Sequence, residues 1–454
     1  MGDIAIETNP ETAPASSMSD KPAYPPERQG WLTVGILALL TTLSVIDRNI
    51  LSLLVNPIQA DLQLSETQMG TLMGFAFGIF FFIGALPIGW AMDRYSRPLV
   101  IWFGVTVWSL GTMACGLANS FWAFFAGRSL VGAGEATMGP GSQSLLPDFF
   151  PPRKLGFALS VYATGTKIGA GLSFAIGGAL AALIDPSVPH DLLGVMTIRG
   201  WQLIFLLLGV PGILIGFVIF LVPDPRRNKA VRRENTTFAT YFKTARRHWR
   251  FIVPHHLGLM LVALSAVAIQ AWGPAFFERT HGLSAGQVGP ALGLGITLGT
   301  IVGLPLHGKI VDFLYSRGMA DAHVRYMAIS TLLAVPVTIG IFTVPSPTVS
   351  LVLVGFYFFF ACCYLSLPFA ILQIVMPPHL RGKAASIVLV MNGVLTLGGA
   401  PVLIAVVTEA LGGPAMVGQS LLICMAISLA LGAVGMWLSG QPVRAILNER
   451  NTVN

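Results

Sequence analysis

The sequence predicts an all-α membrane protein in which twelve transmembrane helices form two pseudo-symmetric six-helix bundles. Composition gives the class. Hydrophobic residues make up 54% of the 454-residue chain and charged residues only 10%, with a mean hydropathy of +0.73. Roughly 20 apolar residues span a bilayer as a helix, so this length holds about a dozen spans and short loops. Segmentation gives the count. Apolar runs lie near 31–54, 67–91, 99–118, 121–144, 155–183 and 201–222, then near 252–277, 286–307, 325–344, 348–373, 382–409 and 416–439. Internal repetition gives the two bundles. Gly89-Trp90-Ala91-Met92-Asp93 closes the second run and Gly308-Lys309-Ile310-Val311-Asp312 the eighth, while Pro151-Pro152-Arg153-Lys154 and Pro377-Pro378 precede the fifth and eleventh. Matched features at nearly one offset indicate duplication, with a site expected between parallel halves.

The expected organisation is therefore a disordered cytoplasmic tail over 1–29, a six-helix bundle over 30–222, a basic cytoplasmic linker over 223–249, a second bundle over 250–440 and a cytoplasmic tail over 441–454. Placing the N-terminus inside leaves only Arg199 and Arg279 of the loop bases outside, a strong positive-inside asymmetry. Both termini are accordingly expected in the cytoplasm, in a bacterial inner membrane given the short loops. The net charge of +7 is spread over many loops and does not indicate nucleic-acid binding. The 50 glycines and 30 prolines suit membrane helices, whose neighbours re-satisfy the backbone. Residues 1–29 lack the basic start and apolar core of a cleavable signal, so the first span serves for insertion.

Cys115, Cys362, Cys363 and Cys424 all lie in apolar runs without metal-ligand spacing, and read as buried thiols. Asn235-Thr236-Thr237 falls on the cytoplasmic side, where no glycan is expected. The linker from Asp224 to Arg250 carries nine bases, with Tyr241, Phe242 and Trp249 among the later ones. It is either a short amphipathic helix on the anionic inner leaflet or a plain solvated connection.

Against this apolar background stand Asp47, Arg48, Arg128, Glu135 and Lys167, all within spans of the first half. An ionised group in a bilayer costs several kcal/mol, so such residues face a partner, a water-filled cavity or a substrate path. Arg128 and Glu135 are seven residues apart, two helical turns, and so share a face about 10 Å apart along the axis, with Gly132 between them. With both acids ionised the five groups sum to +1; protonating both gives +3, which would alter affinity for an anion strongly in a low-dielectric chamber. The competing reading is fixed ion pairs that only position helices, with Lys167 satisfying Glu135.

The segment Gly89-Trp90-Ala91-Met92-Asp93-Arg94-Tyr95-Ser96-Arg97 resembles the loop motif of the major facilitator superfamily, with Ser96 where the pattern has glycine and Pro98 where a further base is common. Gly127-Arg128-Ser129-Leu130-Val131-Gly132-Ala133-Gly134-Glu135-Ala136 resembles its fourth-span motif. Within that superfamily, Asp47-Arg48-Asn49, Gly134-Glu135-Ala136 and the Pro147-Asp148-Phe149-Phe150-Pro151-Pro152 stretch resemble the Spinster family of lysolipid and sphingolipid transporters. The resemblance implies the major facilitator fold and proton coupling at Asp47 and Glu135. It also implies substrate contacts from Arg48 and Arg128, and a gate of Asp93, Arg94, Arg97 and Asp312 that latches the halves when the cavity faces outward. Lys167 is no part of the family pattern, and its role in substrate binding rests on position alone.

Spans eight to twelve hold no deep Asp, Glu, Lys or Arg; Gln270, Gln373, Asn392 and Thr396 are the polar candidates, near the aromatics Phe356 to Phe360, Tyr364 and Phe369. A charged half facing an apolar half suits an amphiphile with an anionic head. The histidines His255, His256 and His281 lie near span ends and are expected at the interface. The glycines from Gly165 to Gly178 mean close helix packing. The expectation is a proton-coupled secondary transporter of lysophospholipid or a similar anionic lipid, working by alternating access, with no cofactor and no metal. Its partners are the lipid substrate, protons and membrane lipids, with a monomer expected. Proton-driven efflux of a drug or small organic anion is the alternative. A passive scramblase or a membrane-embedded lipid enzyme are the rivals from other classes, the enzyme lacking a nucleophile with a base or a ligand set.

Overall fold

The computed structural model describes residues 24–192, 194, 196–225 and 238–453. Most of the tail expected over 1–29, and the Asn235-Thr236-Thr237 triplet, lie outside the described residues. The first half comprises α1 (Glu27–Leu53), α2 (Val55–Leu62), α3 (Glu66–Met73), α4 (Phe75–Arg94), α5 (Arg97–Gly116), α6 (Phe121–Glu135), α7 (Met138–Phe149), α8 (Pro152–Leu183) and α9 (Gly200–Gly216). The second comprises α10 (Phe238–Arg247), α11 (Trp249–His281), α12 (Ala285–Ser316), α13 (Ala322–Thr343), α14 (Pro347–Ala361), α15 (Leu367–Val375), α16 (Arg381–Met391), α17 (Gly399–Ala410) and α18 (Val417–Val453). Among the described residues, eleven helical stretches are long and apolar enough to cross a membrane. The pair α6 and α7 supplies the fourth of the twelve expected spans, interrupted after Glu135.

A proline stands one turn after that interruption and after two others. A proline offers no N–H and its ring collides with the carbonyl four residues earlier. Pro140 opposes Ala136, between α6 and α7. Pro368 opposes Tyr364, in the 3₁₀ turn Cys362–Leu365 that separates α14 from α15. Pro401 opposes Leu397, in the π-helical stretch Asn392–Gly398 between α16 and α17. Continuous apolar runs hid these breaks, because hydropathy registers depth and not backbone continuity. A further element absent from the expected spans is an antiparallel hairpin of β1 (Pro189–Leu192) and β2 (Met196–Arg199) between α8 and α9. Arg199 and the Trp201 indole both reach Asp61 at 3.1 Å, tying the hairpin to α2.

The two halves meet along seams made of glycine. A methyl group on Gly74 would lie 2.1 Å from the Gly398 carbonyl oxygen, and one on Gly293 would lie 2.3 Å from that of Gly171. Backbones this close gain dispersion contact that no larger residue permits. The cores show the same asymmetry. One continuous cluster joins Ile50–Met73, Phe124, Phe174 and Trp201 of the first half to the core of the second. The other, around Val34, Met92, Ile101, Leu146 and Phe150, belongs to the first half alone. The halves are thus fused toward the end that carries Arg279, while the core at the end that carries Arg94 stays within one bundle.

His255 and His256 depart from the interfacial position expected of them. Both are buried in α11, with their Nδ1 atoms 3.2 Å apart and His255 Nε2 3.1 Å from the Pro368 carbonyl. Starting α11 at Trp249 carries them nearly two turns into the bundle. All four cysteines are free and buried.

Gly293→Ala is expected to lower the melting temperature of the detergent-solubilised protein, since overpacking a tight contact costs about 1–3 kcal/mol. Gly295→Ala, whose methyl would meet nothing closer than 3.4 Å, is expected to leave it unchanged. Equal melting of both variants would argue against a tight α8–α12 seam.

Candidate functional site

Between the bundles lies a cavity of about 460 Å³ with walls from both halves. The first half contributes Thr41, Ser44, Arg48, Asn49, Phe77, Glu135 and Tyr162 among others. The second contributes Val267, Gln270, Ala271, Tyr364, Leu397 and Pro401. Each of the three helix breaks therefore adjoins the cavity wall, through Glu135, Tyr364 and Leu397. Freed backbone beside a cavity is the setting in which membrane proteins tolerate irregular helices.

At the wall, Arg48 Nη2 of α1 lies 2.5 Å from Glu135 Oε2 of α6. The Glu135 side chain is fully sealed, whereas that of Arg48 keeps 28% exposure and reaches the cavity. Among the described residues, Glu135 Oε1 has no hydrogen-bond partner. The Arg48 guanidinium sits 4.5 Å from the centre of the Phe77 ring, and that of Arg128 sits 5.4 Å from the same ring. One aromatic side chain thus faces two cations, each attracted to the ring electrons. Gly132 makes the arrangement possible, because a methyl there would lie 2.3 Å from the Phe77 carbonyl oxygen.

Asp47 and Arg128 stand behind this wall. Asp47 is buried and accepts a hydrogen bond of 3.2 Å from the Thr112 hydroxyl of α5. Arg128 is 1% exposed, and its Nε donates to the Leu72 carbonyl at 3.4 Å. Of the five charges singled out in the sequence, Arg48 and Glu135 line the cavity and Asp47 and Arg128 form a second layer. Lys167 lies on α8, but its side chain is outside the described residues.

The four candidate gate residues lie at the other end of α4 and its counterpart. Arg97 is buried and bound within its own half. It forms ion pairs with Asp148 at 2.8 Å and with Asp224, and donates to the Ser144 carbonyl at 2.6 Å. Arg94 is exposed with its guanidinium 4.5 Å from the Trp90 ring centre, and Asp93 is exposed beside it. Asp312 is exposed near His323 of its own half.

Polar links across the halves concentrate at the opposite end. Arg279 of α11 donates to Asn56 Oδ1 at 2.8 Å and to Gln59 Oε1 at 2.6 Å, and pairs with Glu66 at 3.0 Å. Glu409 of α17 accepts from the Thr67 amide at 2.9 Å and its hydroxyl at 2.6 Å. Sequence reasoning gave this clamp no role, although Arg279 was one of two loop bases assigned to the exterior, and that isolation was the available signal. On the second half, Gln270 and Tyr364 line the cavity. Asn392 and Thr396 instead bond each other, and Tyr357 bonds Ser265 at 2.6 Å within the bundle. Among the described residues no group of His, Cys, Asp and Glu could hold a metal ion.

Two helical bundles around a cavity that both of them line define a membrane transporter. The chain belongs to the Major Facilitator Superfamily, whose family model matches residues 37–400. Its members are transporters and not enzymes, and the same holds here. A protein described as an MFS-type efflux pump, from Mycolicibacterium smegmatis, is 26% identical over 431 residues, covering 93% of this chain and 95% of that protein. Protein spinster of Drosophila melanogaster is 26% identical over 400 residues, covering 85% of this chain and 63% of that protein. Among solved structures, a bacterial homologue of the human lysosomal transporter Spinster, in an inward-facing and unoccupied conformation, aligns with a TM-score of 0.79. It is 22% identical, and the match covers 93% of this chain and 99% of that one.

Arg48→Ala would leave Glu135 sealed without its cation. Removing one partner of a buried pair costs about 3–5 kcal/mol. The variant is expected to melt well below the wild type at neutral pH. The deficit should be repaired by adding Glu135→Gln, because a neutral amide needs no counter-charge. Thermal unfolding of the three proteins checks this.

Proposed function

We propose that the protein is a proton-coupled transporter of an amphiphilic anion, with lysophospholipid as the leading substrate class, in which Arg48 is shared between Glu135 and the substrate. The pairing of Arg48 with a sealed Glu135 at the cavity wall carries this reading. An ionised Glu135 occupies the guanidinium. Protonating it frees Arg48 for an anionic headgroup, so proton and substrate occupancy rise together. Asp47, in the layer behind, is the second proton site. Arg128 supports it from behind Phe77 and keeps the layer from excess negative charge, and Lys167 is assigned to the headgroup side. The wall of Val267, Ala271, Leu397 and Pro401 provides an apolar surface for an acyl chain. Similarity to Spinster proteins adds support for a lipid substrate.

The Arg279 clamp and the fused core beside it support a cavity that is sealed at one end and works toward the Arg94 end. With the N-terminus in the cytoplasm, as the basic loops suggest, this is an inward-facing state. Asp93, Arg94, Arg97 and Asp312 are then the latch of the opposite state. A bacterial plasma membrane remains the proposed location and a monomer the proposed unit, with bundles over 30–222 and 250–440.

A second reading, efflux of a drug or small organic anion, is favoured by the near full-length match to an efflux pump. Proteoliposomes with an imposed pH gradient separate the two. Labelled lysophospholipid is expected to accumulate with the gradient in the wild type. Accumulation should be lost in Asp47→Asn, and in Glu135→Gln it should be replaced by downhill exchange alone. Flux of a short-chain organic anion without flux of the lysolipid would favour efflux. Lysolipid movement indifferent to gradient and to both substitutions would indicate passive lipid exchange and overturn proton coupling.

A further inference from the structure

The joint between α10 and α11 lies far from the central cavity and plays no part in the transport chemistry above. It contains a separate cavity of about 490 Å³ walled by Arg247, His248 and Arg250 on one side and by Gln441, Pro442 and Glu449 of α18 on the other. The segment 238–251 carries Lys243, Arg246, Arg247 and Arg250 and no acid.

The helix is oriented in a way that a solvated linker does not require. Tyr241 is 2% exposed and anchors α10 against the second bundle, on α11 and α16. Phe242 and Trp249 are 60% and 56% exposed, on the same joint as the four bases. Two large aromatics beside a cluster of cations is a composition suited to the bilayer interface, where rings enter the headgroup layer and bases meet its negative charge. The position fits as well. At 33 residues α11 is about 50 Å long, against a hydrocarbon core of about 30 Å, so the helix is long enough to reach the headgroup region with its first turns. Arg250 stays close to Trp249, its guanidinium 5.8 Å from the ring centre. Burial, and then neighbouring Arg247, hold His248 below its ordinary pKa, opposed by Glu449.

We propose that the α10–α11 joint binds the phosphodiester headgroup of an anionic phospholipid of the surrounding bilayer, with Arg247 and Arg250 on the phosphate and Phe242 and Trp249 against the glycerol and upper acyl chain. The lipid is preferred over a soluble anion because the bases are flanked by exposed aromatics that a free phosphate would not use.

The full-length protein in detergent, titrated with phosphatidylglycerol or phosphatidylcholine and read by native mass spectrometry, tests the site. The wild type is expected to retain phosphatidylglycerol in preference to phosphatidylcholine. Each interfacial base is worth about fivefold in affinity, so Arg247→Gln with Arg250→Gln should weaken phosphatidylglycerol retention at least about tenfold, without moving the melting temperature in phosphatidylcholine. Phe242→Ser with Trp249→Ser should weaken it as well, and inorganic phosphate should not displace the lipid. Equal retention by wild type and the double-arginine variant, or displacement by phosphate at matched concentration, would overturn the proposal. Neither result depends on the transported substrate.

Discussion

The Arg48–Glu135 pair meets a constraint that shapes everything around it: charge inside a bilayer must be matched locally. Coulomb attraction in a low-dielectric interior is strong, yet removing both ions from water is costly, so such a pair is kept only with close geometry. Here the balance is uneven. Glu135 is sealed, while Arg48 retains a path to the cavity. In the proposed cycle the acid trades its cation for a proton, and the cation trades its acid for a solute anion. Phe77 extends the coupling inward, since the ring that holds Arg48 also faces Arg128.

Motion has to be supplied without disturbing that cluster. Prolines 140, 368 and 401 interrupt the spans around the chamber, so the helices can bend where the chamber changes shape. The glycine seams and the Arg279 clamp hold the halves together at one end. In the proposed cycle those contacts must part and others form. The clamp suits this, because its polar groups are near loop ends where water can replace lost partners. The seams are less forgiving, since they separate without any polar compensation.

Most of the architecture was legible because membrane topology is written in one dimension. Hydropathy located the spans, base distribution suggested their orientation, and the paired Gly89–Asp93 and Gly308–Asp312 segments marked the duplication. Asp47, Arg48, Arg128 and Glu135 stood out because ionised groups are rare in apolar runs. What could not be read was depth of layer. Nothing in one dimension says that Arg48 reaches the cavity while its neighbour Asp47 turns back to Thr112, since adjacent residues on a helix point about 100° apart and the facing helix decides which side is open. The Arg279 clamp escaped notice for a similar reason. Its partners, Asn56 and Gln59 of α2 and Glu66 of α3, carry no motif and become informative only once α11 is set against those two helices.

Arg97 carries a consequence for how the first bundle is made. Its guanidinium is held by Asp148 and Ser144 of α7 and by Asp224, which follows α9. The base is synthesised 127 positions before its final carboxylate. All three of these partners belong to the first bundle, and the last of them is supplied only after that bundle's final helix.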